Sequence, residues 1–247
     1  MRAPAAWGMW SIPAALFFVA FFHRNAPGVM ARELMETFGV TGAVIGLISA
    51  TSFYAYAGFM IPGGMLLEVF GARRVVAGSG ALMGLGTLAR SAAGSPATLL
   101  AGRFAVGIGA AVTFIGTLKI AAAWFPGERF GFLSALTATV GMLGAFAASA
   151  PLAVLIALAG WRGALATIAI VTLAGSLLCL VVVRDAPGAA RSTPTRGARA
   201  YPLDAYRAAF TVCATFVFAP TGLSLLLRET YGRNVWPRTA PGTASRA

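Results

Sequence analysis

Negative charge is scarce in this chain: seven aspartates and glutamates stand against nineteen lysines and arginines in 247 residues, with one histidine and two cysteines. Each scarcity removes a class of chemistry. Cys179 and Cys213 lie in apolar surroundings without metal-ligand spacing, so neither a metal site nor a redox centre is expected. His23 is the only histidine, and no partner spacing turns Ser79 of Gly-Ser-Gly into a nucleophile–base pair, so no enzyme and no cofactor is expected. The glycines from Gly78 to Gly86 follow no soluble strand and precede no lysine at a nucleotide-loop offset.

Charge of either sign is thin as well. Charged residues make up 11% of the chain and apolar ones 58%, and the mean hydropathy is +0.80. A soluble domain has nowhere to place that much apolar surface; a polytopic membrane protein exposes it to lipid. The net charge of +12 then reads as topology rather than as nucleic-acid binding, because the arginines sit mostly between or beyond apolar runs. The apolar run from Trp7 to Phe22 leads into further helix-compatible sequence, not into a small-residue cleavage site.

The expected fold is therefore all-α: a membrane helix bundle with six spans in residues 1–183. Helices are placed near Trp7 to Thr37, Ala43 to Leu67, Arg73 to Ala93, Ala97 to Trp124, Arg129 to Leu158 and Arg162 to Val183. The first and fifth exceed the roughly 20 residues a crossing needs, so they are expected to tilt or project. Glycine and proline punctuate the gaps, and connections this short predict antiparallel neighbours in sequence order. Residues 184–207, rich in Ala, Pro, Arg, Ser and Thr, read as a flexible cytoplasmic linker. The apolar run 208–227 is just long enough for a seventh span but carries Pro220 and Gly222; a membrane-associated or structureless stretch is the alternative, and the remaining tail reads as disordered.

Arg73, Arg74, Glu128, Arg129 and Arg184 fall on one side of the membrane, with Arg32, Arg90 and Arg162 on the other. The bias predicts a multi-pass protein of the cell membrane, in bacteria the inner membrane, with a cytoplasmic N-terminus. Gly107, Gly109, Gly141 and Gly144 mark faces where helix backbones approach closely.

Charge inside a span costs a few kcal/mol, which makes each such residue a functional candidate. Arg24, in Phe-Phe-His-Arg-Asn-Ala-Pro-Gly, reads as a guanidinium fork for a carboxylate or phosphate, with a headgroup-seeking surface arginine as the alternative. Arg103 reads as a buried contact to substrate or as an interfacial charge. Lys119, about a turn before the interfacial Trp124-Phe125-Pro126, reads as a lysine snorkelling to the cytoplasmic surface or as a substrate contact, and Tyr54, with Phe53 and Tyr56, as a pathway lining or as helix packing. His23 invites proton coupling, or simply polar packing against a neighbouring helix. Unpaired positive charge in a bundle calls for an anion.

Gly64, Leu66, Gly71, Arg73 and Arg74, with Glu68 at the acidic position, follow a Gly-x-Leu-x-Asp-Arg-x-Gly-Arg-Arg pattern, and Arg103, Gly107 and Gly109 follow Arg-x-x-x-Gly-x-Gly. In that order, over Trp7 to Val183, they resemble the N-terminal half of a major facilitator superfamily transporter. The resemblance implies a permease for a small organic solute, an anion in view of Arg24, with the Gly64–Arg74 loop as conformational switch. It implies a coupling proton or ion as well, although Ala110 occupies the position where related branches place an acid. It also implies a second six-helix half, so the chain is expected to be a fragment, a frameshifted product or a half-sized unit that dimerises. Efflux of drugs or hydrophobic compounds and a non-transporting membrane scaffold are the competing functions.

Overall fold

The computed structural model describes residues 3–186 and Thr211, and those residues form helices without strands. The residues read above as a linker, a seventh span and a tail, Cys213 among them, lie outside the described residues apart from Arg184, Asp185, Ala186 and Thr211. The elements are α1 (Ala3–Val29), α2 (Ala31–Phe38), α3 (Gly42–Phe70), α4 (Ala72–Ser91), α5 (Pro96–Trp124), a 3-10 turn at Gly127–Arg129, α6 (Phe130–Ala147) and α7 (Ala150–Val182). Among them, five stretches are long and apolar enough to cross a membrane. α4 is the exception: its 20 residues reach about 30 Å, but it carries Arg73, Arg74 and Arg90.

Among the described residues the bundle nevertheless has six long arms, because α7 contains two of them, joined at a kink. Gly160, at φ 67° and ψ 167°, leaves the helical region and takes a backbone conformation that side chains with a Cβ avoid. Residues before it continue the direction of α6. Those after it run back along α4, since Arg162 meets the Ser91 carbonyl at one end of α4 and Asp185 meets the Arg73 amide at the other.

The two long helices expected from the sequence are each broken. The first divides at Met30, and α2 leaves as a short arm whose Leu34 is buried. The fifth divides at Ala148–Ser149, where Pro151 in the first turn of α7 has no N–H to carry the helical ladder onward.

The expectation that sequential helices pack side by side also fails for most pairs. α4 lies between α5 and α7, α3 packs mainly on α5, and α1 packs on α6 and α5. The reason is where the glycines fall. A Cβ on Gly107 would strike the Ser52 carbonyl of α3, one on Gly109 the Ser79 carbonyl of α4, and one on Gly144 the Phe18 carbonyl of α1. Gly141 similarly seats the Phe17 ring. Lipid tails are as apolar as the side chains, so no hydrophobic drive pulls these helices together; bare backbones in close dispersion contact do. Polar links add to this: Trp10 Nε1 donates to Thr137 Oγ1 at 3.1 Å, and Ser176 Oγ donates to the Ala77 carbonyl at 2.6 Å.

Gly144→Leu is expected to destabilise the bundle by about 1–3 kcal/mol or more, as overpacking does. Gly28→Leu, where a Cβ meets nothing within 4 Å, leaves stability unchanged. Thermal unfolding of the two variants in detergent measures the difference.

Candidate functional site

One face each of α1, α3 and α5 lines an open cleft. Phe17, Ala20, Phe21 and Arg24 line it from α1, Ser52, Phe53 and Tyr56 from α3, and Arg103, Val106, Gly107 and Ala110 from α5. Steps of three and four residues keep each set on a single helix face. Gly107 brings α5 against α3 and so fixes the floor of the cleft.

Arg24 and Arg103 meet this one space from different helices, and they are held differently. The Arg24 guanidinium lies 4.5 Å from the Phe53 ring centroid, 5.7 Å from Phe21 and 5.8 Å from Tyr56. Stacking on aromatic faces orients the fork and leaves its N–H groups free. Among the described residues no carboxylate pairs with it, since the one ion pair there is Arg32 with Glu36 at 2.9 Å. Arg103 is fully buried, and its Nη1 donates to the His23 carbonyl at 2.5 Å. Its Nε and Nη2 find no acceptor.

Behind Arg103 lies a polar cluster. Arg90, assigned above to the outer surface, is instead fully buried, with Nε and Nη1 unpartnered. It sits inside because Gly102 has no Cβ: one there would strike the Arg90 Cγ. His23 is fully buried too and is not part of the cleft wall. Its Nε2 lies 3.3 Å from Thr172 Oγ1 and its Nδ1 3.4 Å from Thr87 Oγ1. Both hydroxyls also donate to their own helices, at Ile168 and Met83, and a neutral imidazole has a single N–H to offer the pair.

Other residues singled out in the sequence fall elsewhere. Lys119 Nζ donates to the Leu67 carbonyl at 2.8 Å, satisfying an orphan acceptor in the last turn of α3. Tyr54 is half-buried and does not line the cleft, whereas Tyr56 does. At the Gly64–Arg74 loop, Gly71 has φ 81°, and the Asp185 carboxylate occupies the space where a Cβ would stand. Asp185 Oδ1 accepts from the Arg73 amide at 2.6 Å, capping α4 where its dipole favours an anion. Arg73 Nε donates to the Leu180 carbonyl at 2.7 Å. Glu68 and Arg74 are exposed. Sequence reasoning missed Asp185 and Arg90. For Arg90 a signal existed, in glycines at positions 86 and 102 that thin two helices around it.

Comparisons with known proteins converge. Residues 14–237 match the Major Facilitator Superfamily, a match that extends past Val183 through the residues read as linker and seventh span. A Cupriavidus necator protein named "Probable sulfoacetate transporter" is 30% identical over 172 residues, covering 70% of this chain and 40% of that protein. A Pseudomonas putida protein named "Probable galactarate/D-glucarate transporter" is 33% identical over 124 residues, 48% of this chain and 27% of its own length. A quinolone resistance transporter of Acinetobacter baumannii is 31% identical over 148 residues, 59% and 32% respectively. The aligned regions thus span less than half the length of each of these relatives.

A 1,2-dicarbonyl reagent applied to the folded chain is expected to modify Arg24 and to spare Arg90 and Arg103, with peptide mass spectrometry as the readout. Phe53→Ala is expected to raise the modification rate at Arg24 by unstacking it.

Proposed function

Because the chain belongs to the Major Facilitator Superfamily, we propose that its bundle carries a small organic anion across the cell membrane, gripped by Arg24 and Arg103. The observation that carries the reading is the cleft itself: Arg24 and Arg103 both line one largely apolar space, and no acid lines it. Charge-assisted hydrogen bonds in a low-dielectric cleft favour a carboxylate or sulfonate there. The names of two relatives, which specify sulfoacetate and galactarate/D-glucarate, support an anion.

Transport needs an opposite wall. α1, α3 and α5 supply one side of the cleft, and the reading takes the other from a second six-helix bundle, with Gly64, Glu68, Gly71, Arg73 and Arg74 at the loop that switches between states. The five acids among the described residues, Glu33, Glu36, Glu68, Glu128 and Asp185, do not line the cleft, and Ala110 does. Ion coupling through an acid of this bundle is therefore not part of the proposal.

Uptake of a radiolabelled small carboxylate or sulfonate by cells expressing the chain tests the assignment. Arg24→Gln is expected to abolish uptake while membrane insertion persists; unchanged uptake overturns the role of Arg24. Efflux of hydrophobic compounds is the second reading, favoured by the quinolone resistance relative and by Phe17, Phe21, Phe53 and Tyr56 in the cleft wall. Inhibition by lipophilic cations, with indifference to Arg24→Gln, would establish it.

We infer the orientation from the surface charges: Arg73, Arg74, Arg129 and Arg184 share the end of the bundle where α1 begins, whereas the opposite end carries Arg162 and an Arg32 paired with Glu36. We place the positive end in the cytoplasm. A cysteine at position 74, in a chain with Cys179 and Cys213 replaced by serine, is expected to react with a membrane-impermeant maleimide in inverted vesicles and not in intact cells.

A further inference from the structure

α1 runs helically from Ala3 to Val29 with Pro27 inside it. In an α-helix the N–H of residue 27 would bond the carbonyl of residue 23, and proline has no N–H to give. The His23 carbonyl is thereby left without its helical donor in the interior of the bundle, where a peptide oxygen needs a partner. Arg103 supplies one from the next helix wall: its Nη1 donates to the His23 oxygen at 2.5 Å. The place of that oxygen matters. It belongs to the peptide group that joins His23 to Arg24, so the bond fastens Arg103 of α5 to the backbone that carries Arg24 on α1. The two arginines that line the cleft are tied through one peptide. Residue 23 is itself held from behind, its ring lying 3.3 Å from Thr172 Oγ1 and 3.4 Å from Thr87 Oγ1. A guanidinium is a rigid planar fork, so anchoring one nitrogen restricts where the others aim, and Nε and Nη2 of Arg103 are left without an acceptor.

We propose that Pro27 is a positioning residue for Arg103: by withholding an N–H it reserves the His23 carbonyl for the guanidinium, and so sets how Arg103 stands relative to Arg24. The consequence for ligand binding rests on the anion reading above. Alanine at position 27 suits a helix interior better than proline, and it returns the N–H that competes with Arg103 for the oxygen. Arg103 then loses its hold on α1. A more regular helix thus goes with a weaker grip on the anion, an opposition that a proline serving stability alone does not produce.

His23 is the only histidine in the chain, so histidine labelled with carbon-13 at its carbonyl marks this one peptide group. Infrared spectroscopy of the purified chain in detergent reads the labelled band, beside the Kd for propanoate. Arg103→Met is expected to shift the band in the parent and to leave it unmoved in Pro27→Ala, where the helix supplies the donor. Pro27→Ala is expected to weaken propanoate binding about tenfold, the scale of a charge-assisted hydrogen bond, with Tm equal to the parent's or higher. Lactic acid in place of Pro27 gives an ester with neither N–H nor ring, and is expected to keep the parent's band and Kd. A band that ignores Arg103→Met in the parent overturns the proposal. Weakening by lactic acid as great as that by alanine also overturns it, since the effect would then belong to the ring. If Arg103→Met does not fold, the two position-27 variants decide, and the same band from both rejects the proposal. Bands that behave as expected in a parent that binds no propanoate sink the anion reading while supporting the link from Pro27 to Arg103.

Discussion

The cost of holding positive charge away from water without a matching negative charge governs how this bundle is built. Two arginines, Arg90 and Arg103, are fully buried within spans, and the acids that might neutralise them are at helix ends. A backbone carbonyl holds one nitrogen of Arg103, and Arg90 is enclosed by helices that only glycine allows to come so near. Arg24, exposed at the cleft, stacks on aromatic faces instead. What is left over is unspent hydrogen-bonding capacity directed at an anion.

That arrangement depends on close backbone approach. Gly107 against Ser52, Gly109 against Ser79 and Gly102 against Arg90 draw α3, α4 and α5 together around a common line. The helices adjacent in sequence are then mostly not adjacent in space, and α1 comes to face α3 and α5 across the cleft. Asp185 performs a related task at the membrane surface, tying the end of α7 to the start of α4 through the Arg73 amide, while Trp124 Nε1 reaches the Arg184 carbonyl at 2.8 Å. The loop that the sequence marks as a switch is thereby fastened within its own bundle.

Much of this was legible beforehand. Apolar runs, glycine stops and the Arg-x-x-x-Gly-x-Gly spacing identify the helices and the family, because they report local backbone needs and bilayer thickness. Helix breaks at Met30 and Ser149 were not legible, since a broken apolar segment and a tilted one have the same composition. Arg90 was misplaced for a related reason: followed by Ser91, Ala92, Ala93 and Gly94, it looks like a loop charge, and only the tertiary fit against Gly102 shows it turned inward. Tyr54 and Tyr56 differ by two residues and hence by about 200° around the helix, a distinction that requires knowing which face α5 covers.

The central claim is that Arg24 and Arg103 form an anion-selective wall. Equilibrium titration of the purified chain with a small aliphatic carboxylate or sulfonate, and with an uncharged amide of the same shape, addresses it most directly. Saturable binding of the anion with none of the amide, weakening as salt increases, is what the account predicts. Equal binding of both compounds would contradict it and leave an apolar cleft whose arginines serve the fold alone.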